Sequence, residues 1–341
     1  MPGARQGHNV RDGSFGQDTG MKSPGILAFG GAHVDRRGQV SGVYVPGASN
    51  PGTMREDVGG GVFNALRNTV RRGAKASLMS VRGGDAAGDM VARAIAEEGI
   101  IDLSAVFLDR TTPSYTAILD RDGDVITGFA DMTLYEMAFP RQMRRAKIRE
   151  AVAGAEAILC DCNLPADALR DLIDLVPGKP VFVIAVSPAK VVRLNGLFPG
   201  LACLFMNRRE IRALAETDDT DIATAIQVLR RRGLARGVVT AGESSVIGFD
   251  GDELFSITPP AARKVVDVTG AGDALAGAAT VAMLRGLPLR EALREGVAAA
   301  VLAVESDKSV PDLSAKEFAA VLSLVPEARE LHEGAQTGDI T

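Results

Sequence analysis

At 341 residues the chain can bury one large α/β core, and its 46% hydrophobic and 24% charged content excludes a disordered chain, a collagen and a coiled-coil rod. Lys and Arg total 38 against 43 Asp and Glu, a net charge of −5, so no basic surplus argues for a nucleic-acid partner. Trp is absent and aromatics make up 4%, which removes an extended base-stacking platform, and no apolar run of ~20 residues predicts a membrane span.

Residues 1–23 are rich in Gly, Ser, Asp and Gln without periodicity and read as a flexible tail, with Met21 as a second candidate start. The tail lacks the apolar core of a signal peptide. Strand-like and helix-like segments then alternate. Residues 25–32 (GILAFGGA) form an apolar run ending in glycines, a buried strand by pattern. Helix over 62–72, strand over 76–81 and helix over 87–98 follow, the last stopped by Gly99. Further strands are predicted at 157–160, 181–186, 203–205 and 237–240, and helices at 165–175, 221–232, 272–285 and 290–304. Apolar strands alternating with helices imply a mostly parallel sheet covered on both faces. The folded α/β unit therefore spans 24–326, and 327–341 reads as a loose acidic tail.

Two stretches break this rhythm. Tyr115–Leu119 and Asp124–Ala130 flank Asp122-Gly123, a strong hairpin signal. The stretch from Arg37 to Asp57 has turn residues and no helical period. Both predict a small β accessory, about 37–57 and 112–132, able to cover a site on the sheet. Tyr44, Tyr115, Phe129 and Tyr135 lie in or beside it, either stacking on a ligand or packing within it. Its exposed strands could pair with a second copy to give a homodimer.

Three cysteines, Cys160, Cys162 and Cys203, make no disulfide framework and read as buried free thiols of a cytoplasmic protein. Of the three His residues, only His33 lies away from the termini, which argues against a His-based metal site or a Ser-His-Asp triad.

The most informative segment is Asp267-Val268-Thr269-Gly270-Ala271-Gly272-Asp273, followed by ALAGAATVAML. Glycines at the start of a helix of small residues let backbone N–H groups converge on an anion, and the helix dipole adds attraction. Asp273, just inside the helix, suits proton abstraction from a hydroxyl that attacks phosphorus. The plainer reading is a tight turn with a capping Asp. No G-x-x-x-x-G-K-[ST] occurs, which excludes a P-loop kinase, and the third glycine of a dinucleotide fingerprint is missing.

This segment resembles the C-terminal signature of the PfkB, or ribokinase-like, family of carbohydrate and nucleoside kinases. Gly59-Gly60-Gly61-Val62-Phe63-Asn64 resembles the family's glycine motif, Gly83-Gly84-Asp85-Ala86-Ala87-Gly88 its G-x-D-x-x-G turn, Asn207-Arg208-Arg209-Glu210 its N-x-x-E, and Thr240-Ala241-Gly242 its T-x-G. The resemblance runs over about 25–325. It implies a three-layer α/β/α sandwich with a mostly parallel central sheet and a small β lid. It implies ATP and Mg²⁺, with Asp273 as general base and Gly270, Ala271 and Gly272 as the anion hole. Asp35, Gly60, Gly61 and Asn64 would bind the small-molecule acceptor. Asn207, Thr240, Gly242 and Thr269 would lie at the nucleotide, and Asn207 and Glu210 would hold Mg²⁺ largely through water. Many relatives bind a monovalent cation near the anion hole, which makes Asp267 a candidate K⁺ ligand. The plainer reading of Asn207 and Glu210 is a helix cap, and of Asp35 a turn residue.

Finer matches resemble the pseudouridine kinases of the family: Ala48–Gly52, Tyr115–Asp120, Phe129–Met132, Asp161-Cys162-Asn163-Leu164-Pro165, Val186-Ser187-Pro188-Ala189-Lys190 and residues 304–314. The implied reaction is phosphorylation of the 5′-hydroxyl of pseudouridine by ATP. The alternatives are another acceptor (adenosine, ribose or a ketohexose) or a sugar or nucleoside sensor without turnover. Two residues depart from the pattern. Phe63 is bulky beside the glycine turn and would either reshape the acceptor pocket or pack in the core. Arg82 stands where a small apolar residue is common.

Overall fold

The computed structural model describes residues 23–217, 221–306, 310–311 and 314–331. The predicted N-terminal tail up to residue 22, residues 307–309 and 312–313 of the final resembling segment, and the tail from 332 lie outside the described residues.

A ten-stranded sheet forms the centre. Six strands run parallel side by side, in the order Arg236–Thr240, Cys203–Asn207, Val181–Ile184, Ala157–Asp161, Gly25–Phe29, Lys75–Met79. The short strand Ile101–Asp102 extends one edge in parallel. Along each central strand, alternate residues enter opposite cores, as the two-residue period requires. Ile26, Ala28, Ala157 and Leu159 face one helical layer, which contains Gly61–Arg71, Ala86–Glu97, Ala271–Leu284 and Leu289–Val304. Leu27, Phe29, Ile158 and Cys160 face the other, which contains Thr133–Gln142, Ala146–Gly154, Ala166–Leu175, Arg208–Ala215 and Ile222–Arg231. The fold is therefore the expected ribokinase-like α/β architecture.

Where the structure departs from the sequence reading, local chemistry explains it. The strand expected through Val81 ends at Met79, and Val81–Gly83 instead pairs with Ala105–Phe107 in a separate two-stranded sheet. The far edge of the main sheet is antiparallel: Val246–Asp250 and Glu253–Ile257 form a hairpin around Gly251, whose φ of 56° suits glycine. Residues Arg329–Glu330, within the segment expected as a tail, pair with Glu253–Ile257 as the last strand.

The accessory is a separate four-stranded sheet, ordered Gly52–Gly59, His33–Val40, Ser114–Leu119, Val125–Asp131. Its first strand starts at His33, so the lid leaves the main sheet only four residues after Phe29. All three cysteines are buried and free. Burial pushes their thiols well up, leaving them inert. No helix among the described residues is long and apolar enough to cross a membrane.

Two helices of the first layer approach unusually closely, because the helix Ala271–Leu284 is built of Ala and Gly where it meets Gly61–Arg71. A Cβ on Gly277 would run into the Ala65 carbonyl oxygen and lie 2.9 Å from the Asn68 Cβ. Gly277→Val should thus cost about 1–3 kcal/mol through overpacking. Gly154→Ala, which meets nothing within 4 Å, should leave stability within about 0.5 kcal/mol. Denaturant unfolding of the two variants checks the contrast.

Candidate active site

The strands Gly25–Phe29 and Ala157–Asp161 are neighbours, but the chain leaves them in opposite directions along the sheet. Such a switch point opens a crevice at the carboxyl ends of the strands. The residues of interest collect along this edge. Gly30 and Gly31 follow the first strand, Asp161 ends the second, and Val186 follows Val181–Ile184. Asn207 and Thr240 end the next two strands and face each other in register.

Asp161 organises the floor. It is fully buried. Its carboxylate accepts the Gly31 N–H (3.1 Å to Oδ2), the Val62 N–H (3.0 Å), and both the backbone N–H (3.0 Å) and the side-chain amide (2.9 Å) of Asn163. One side chain therefore binds the first strand's turn to the N-terminus of the helix Gly61–Arg71. Gly60, the cap of that helix, has φ 116°, and a Cβ there would collide with the Gly31 carbonyl. Only glycine allows this approach.

The N-termini of two helices meet here. Gly270 caps Ala271–Leu284 at φ 81°, so the first N–H groups of that helix lack partners within it. Asn64, in the first turn of Gly61–Arg71, donates its side-chain amide to Asp273 Oδ2 at 3.1 Å. Asn64 is 4% exposed, and its Oδ1 has no hydrogen-bond partner. Desolvation pushes the Asp273 carboxyl up to about 7, with smaller contributions from the charges of Asp161, Asp35 and Glu210, against the opposing Asn64 hydrogen bond. A Cβ placed on Gly61 would lie 3.4 Å from Val186, 3.5 Å from Asp161 Oδ2 and 3.6 Å from Asp273 Oδ1. Gly61 thus leaves the space between the two carboxylates open.

Asp35 lies on the lid strand, with Oδ1 3.4 Å from His33 Nε2. His33 Nδ1 pairs in turn with the Tyr135 hydroxyl at 3.1 Å. Tyr135 is fully buried, so it packs beneath the lid rather than offering a stacking face. Tyr44, Tyr115 and Phe129 remain on the lid surface, 36%, 37% and 70% exposed. Phe63 is fully buried in the core and does not shape the pocket directly. Arg82 pairs with Asp102 at 2.8 Å.

At the other end of the crevice, Asn207 and Glu210 form a capping box. Asn207 Oδ1 accepts the Arg209 and Glu210 N–H groups (2.9 and 3.0 Å), and Glu210 Oε2 accepts the Asn207 N–H at 2.7 Å. Glu210 is buried, which raises its carboxyl. Its Oε1 stands outside the box, a hard oxygen of the kind that takes Mg²⁺ through water, while Asn207 Oδ1 is shared with the cap. Among the described residues no three His, Cys, Asp or Glu side chains gather into a metal cage. Thr240 donates to the Met206 carbonyl at 3.5 Å, and Gly242 turns the chain at φ 66° with open space around it. Thr269 is exposed, and its N–H donates to Asp267 Oδ1 at 2.8 Å. The other Asp267 oxygen accepts from the Arg37 guanidinium.

Sequence reasoning gave no role to Asn163, Lys190, Arg193, Val186 or Arg37. Asn163 Oδ1 accepts from Lys190 Nζ at 2.5 Å. Arg193 binds the Cys162 and Leu164 carbonyls and pairs with Glu136 at 2.6 Å. The segments holding Asp161, Asn163 and Lys190 stood out as motifs, and their contact follows from adjacent strands in register.

The profile of pfkB family carbohydrate kinases matches residues 24–315. The pseudouridine kinase of Escherichia coli K12 is 29% identical over 313 residues, covering 90% of this chain and 98% of that one. An uncharacterized sugar kinase of the same strain, YeiI, is 31% identical over 306 residues, covering 88% of this chain and 83% of that one. A solved carbohydrate kinase from Agrobacterium tumefaciens is 45% identical, with TM-score 0.80, over 90% of this chain and 100% of that one. Ribokinase from Arabidopsis thaliana, solved with ribose and ATP, shares the fold at TM-score 0.78 and 22% identity, over 88% and 99% of the two chains. The chain belongs to the pfkB family of carbohydrate kinases and is an ATP-dependent kinase of that type.

Proposed function

We propose that this kinase phosphorylates the 5′-hydroxyl of a nucleoside, with pseudouridine as its acceptor. The observation that carries the chemistry is the Asn64–Asp273 pair at two converging helix N-termini. Asp273 accepts the proton of the attacking hydroxyl, and Asn64 Oδ1, buried without a partner, accepts a hydrogen bond from the acceptor. Gly60 and Gly61 keep the floor open, and Asp35 accepts from sugar hydroxyls. Gly270, Ala271 and Gly272 offer N–H groups to the phosphoryl oxygens, where developing charge is best stabilised. Thr240, Gly242 and Thr269 flank the nucleotide. Asn207 and Glu210 would hold Mg²⁺ through water, and the ion would neutralise phosphate charge. The lid excludes water, which limits hydrolysis of ATP.

The acceptor assignment is supported by the name of the E. coli relative, which matches nearly end to end. It is also supported by Asp161, Asn163 and Lys190, three residues of pseudouridine-kinase-like segments that the fold brings into one hydrogen-bonded group. The buried thiols suit a reducing cytoplasm. The lid leaves Val43, Val45, Met54, Val125 and Phe129 half to mostly exposed, an apolar surface suited to a second copy.

ADP release with Mg²⁺-ATP, measured against pseudouridine, uridine, adenosine, ribose and fructose, should be selective for pseudouridine. Selective turnover of another acceptor would overturn the substrate and keep the site. Asp273→Asn should lower kcat about 10²–10⁴-fold, the range for losing a general base. The wild-type kcat/KM should rise with pH and level off above about 7, because Asp273 must release its own proton before it can accept another. Sedimentation should show a dimer, and Phe129→Asp should shift it to monomer.

A further inference from the structure

We propose that Arg37 is the built-in cation of the anion-binding turn: its guanidinium, carried in on the lid strand, takes the place beside Asp267 that a monovalent cation would fill, so turnover needs no such ion. The proposal rests on reading Asp267–Asp273 as the phosphoryl-binding turn.

Both oxygens of Asp267 are committed. Oδ2 accepts from Arg37 Nη1, and Oδ1 accepts the Thr269 N–H at 2.8 Å. The second bond folds the turn that delivers Gly270 to its left-handed conformation at φ 81°. Arg37 is half-buried, like its partner. Asp35 and Asp57 also face it, and their charges, with Asp267, raise its guanidinium further above neutrality. The same contacts hold the Asp267 carboxyl below its ordinary value despite desolvation. One permanently charged guanidinium therefore bonds Asp267 while lying in the field of Asp35 and Asp57. A K⁺ at Asp267 would have to sit against this charge, so the residues present do not fit that ion.

The placement also couples the turn to the acceptor. Asp35 and Arg37 are two residues apart on one strand and so share a face. Arg37 meets Asp267 across 230 positions of sequence. A lid strand seated on an acceptor through Asp35 brings the cation to the turn. A strand that has moved off removes it.

The test compares wild type, Arg37→Ala and Arg37→Lys in buffers holding K⁺, Na⁺ or only choline, with ADP release and melting temperature as separate readouts. Wild type should turn over within twofold in all three buffers and show no melting shift specific to K⁺. Arg37→Ala should lose about 10- to 100-fold in kcat in choline, the loss expected for a charge-assisted hydrogen bond. It should regain part of this in K⁺, with a K⁺-specific rise in melting temperature. Arg37→Lys should stay near wild type. A wild type activated severalfold by K⁺, or stabilised by it, would overturn the proposal, as would an Arg37→Ala enzyme that matches wild type in choline. Failure of the kinase reading looks different: no acceptor yields ADP with any variant, while the melting shifts still report the cation.

Discussion

The crevice depends on one buried carboxylate. Asp161 accepts hydrogen bonds from the turn after the first strand, from the first turn of the neighbouring helix and from its own loop. Each donor is a backbone N–H that would otherwise be buried without a partner, at a cost of about 1–3 kcal/mol. The side chain therefore replaces a ladder that the sheet cannot provide, because the switch point is where two strands part. Asn163 continues the network. Its amide donates to Asp161, and its carbonyl holds the Lys190 ammonium, whose pKa burial lowers. A cation is thus kept half-buried beside the site without contacting Asp161 directly.

Above this floor, the general-base role proposed for Asp273 and the stability of the fold pull in opposite directions. Its folded value, about 7, lies above the ordinary carboxyl value of 3.8. Between those values the folded chain holds a proton that the unfolded chain has released. Stability from this group therefore falls as pH rises through that window and is constant above it. A group held this way is destabilising in the ionised form that a base requires. The close packing of Gly277 on Ala65 and the Asp161 network supply the rigidity that keeps it in place.

Local patterns were legible because their causes are local. The alternation of apolar strands and helices, the Asp122-Gly123 hairpin and the Gly270–Gly272 turn each follow from a few adjacent residues. The Asp250-Gly251 hairpin carries the same signal as Asp122-Gly123, but it follows the strand-and-helix alternation that points to a parallel sheet. The Asn207–Glu210 pair is a helix cap, as its spacing alone suggests, so the metal-holding role proposed for it would fall to the oxygen lone pairs that the cap leaves over. Pairs made by the topology were hidden. His33 with Tyr135, Asn163 with Lys190 and Arg37 with Asp267 join distant segments, and no spacing in the sequence announces them. Phe63 and Tyr135 show the complementary limit: near a motif in sequence, both lie in the interior.

Val186 shows how strain enters such a site. Its φ of 70° is costly for a β-branched residue, about 1–3 kcal/mol. The cause is sequence on one side and sheet on the other. Pro188 starts a helical turn and drives Ser187 into extended backbone at φ −162°, ψ 158°. Ala185 is still tied to the sheet through the Phe205 carbonyl at 3.0 Å. The reversal must therefore be made at Val186, where the Ser187 N–H closes a tight turn onto the Ala185 carbonyl at 2.9 Å. Glycine would relieve the strain but would leave the space over Gly61 without an apolar wall. With valine, that wall stands beside the opening between Asp161 and Asp273.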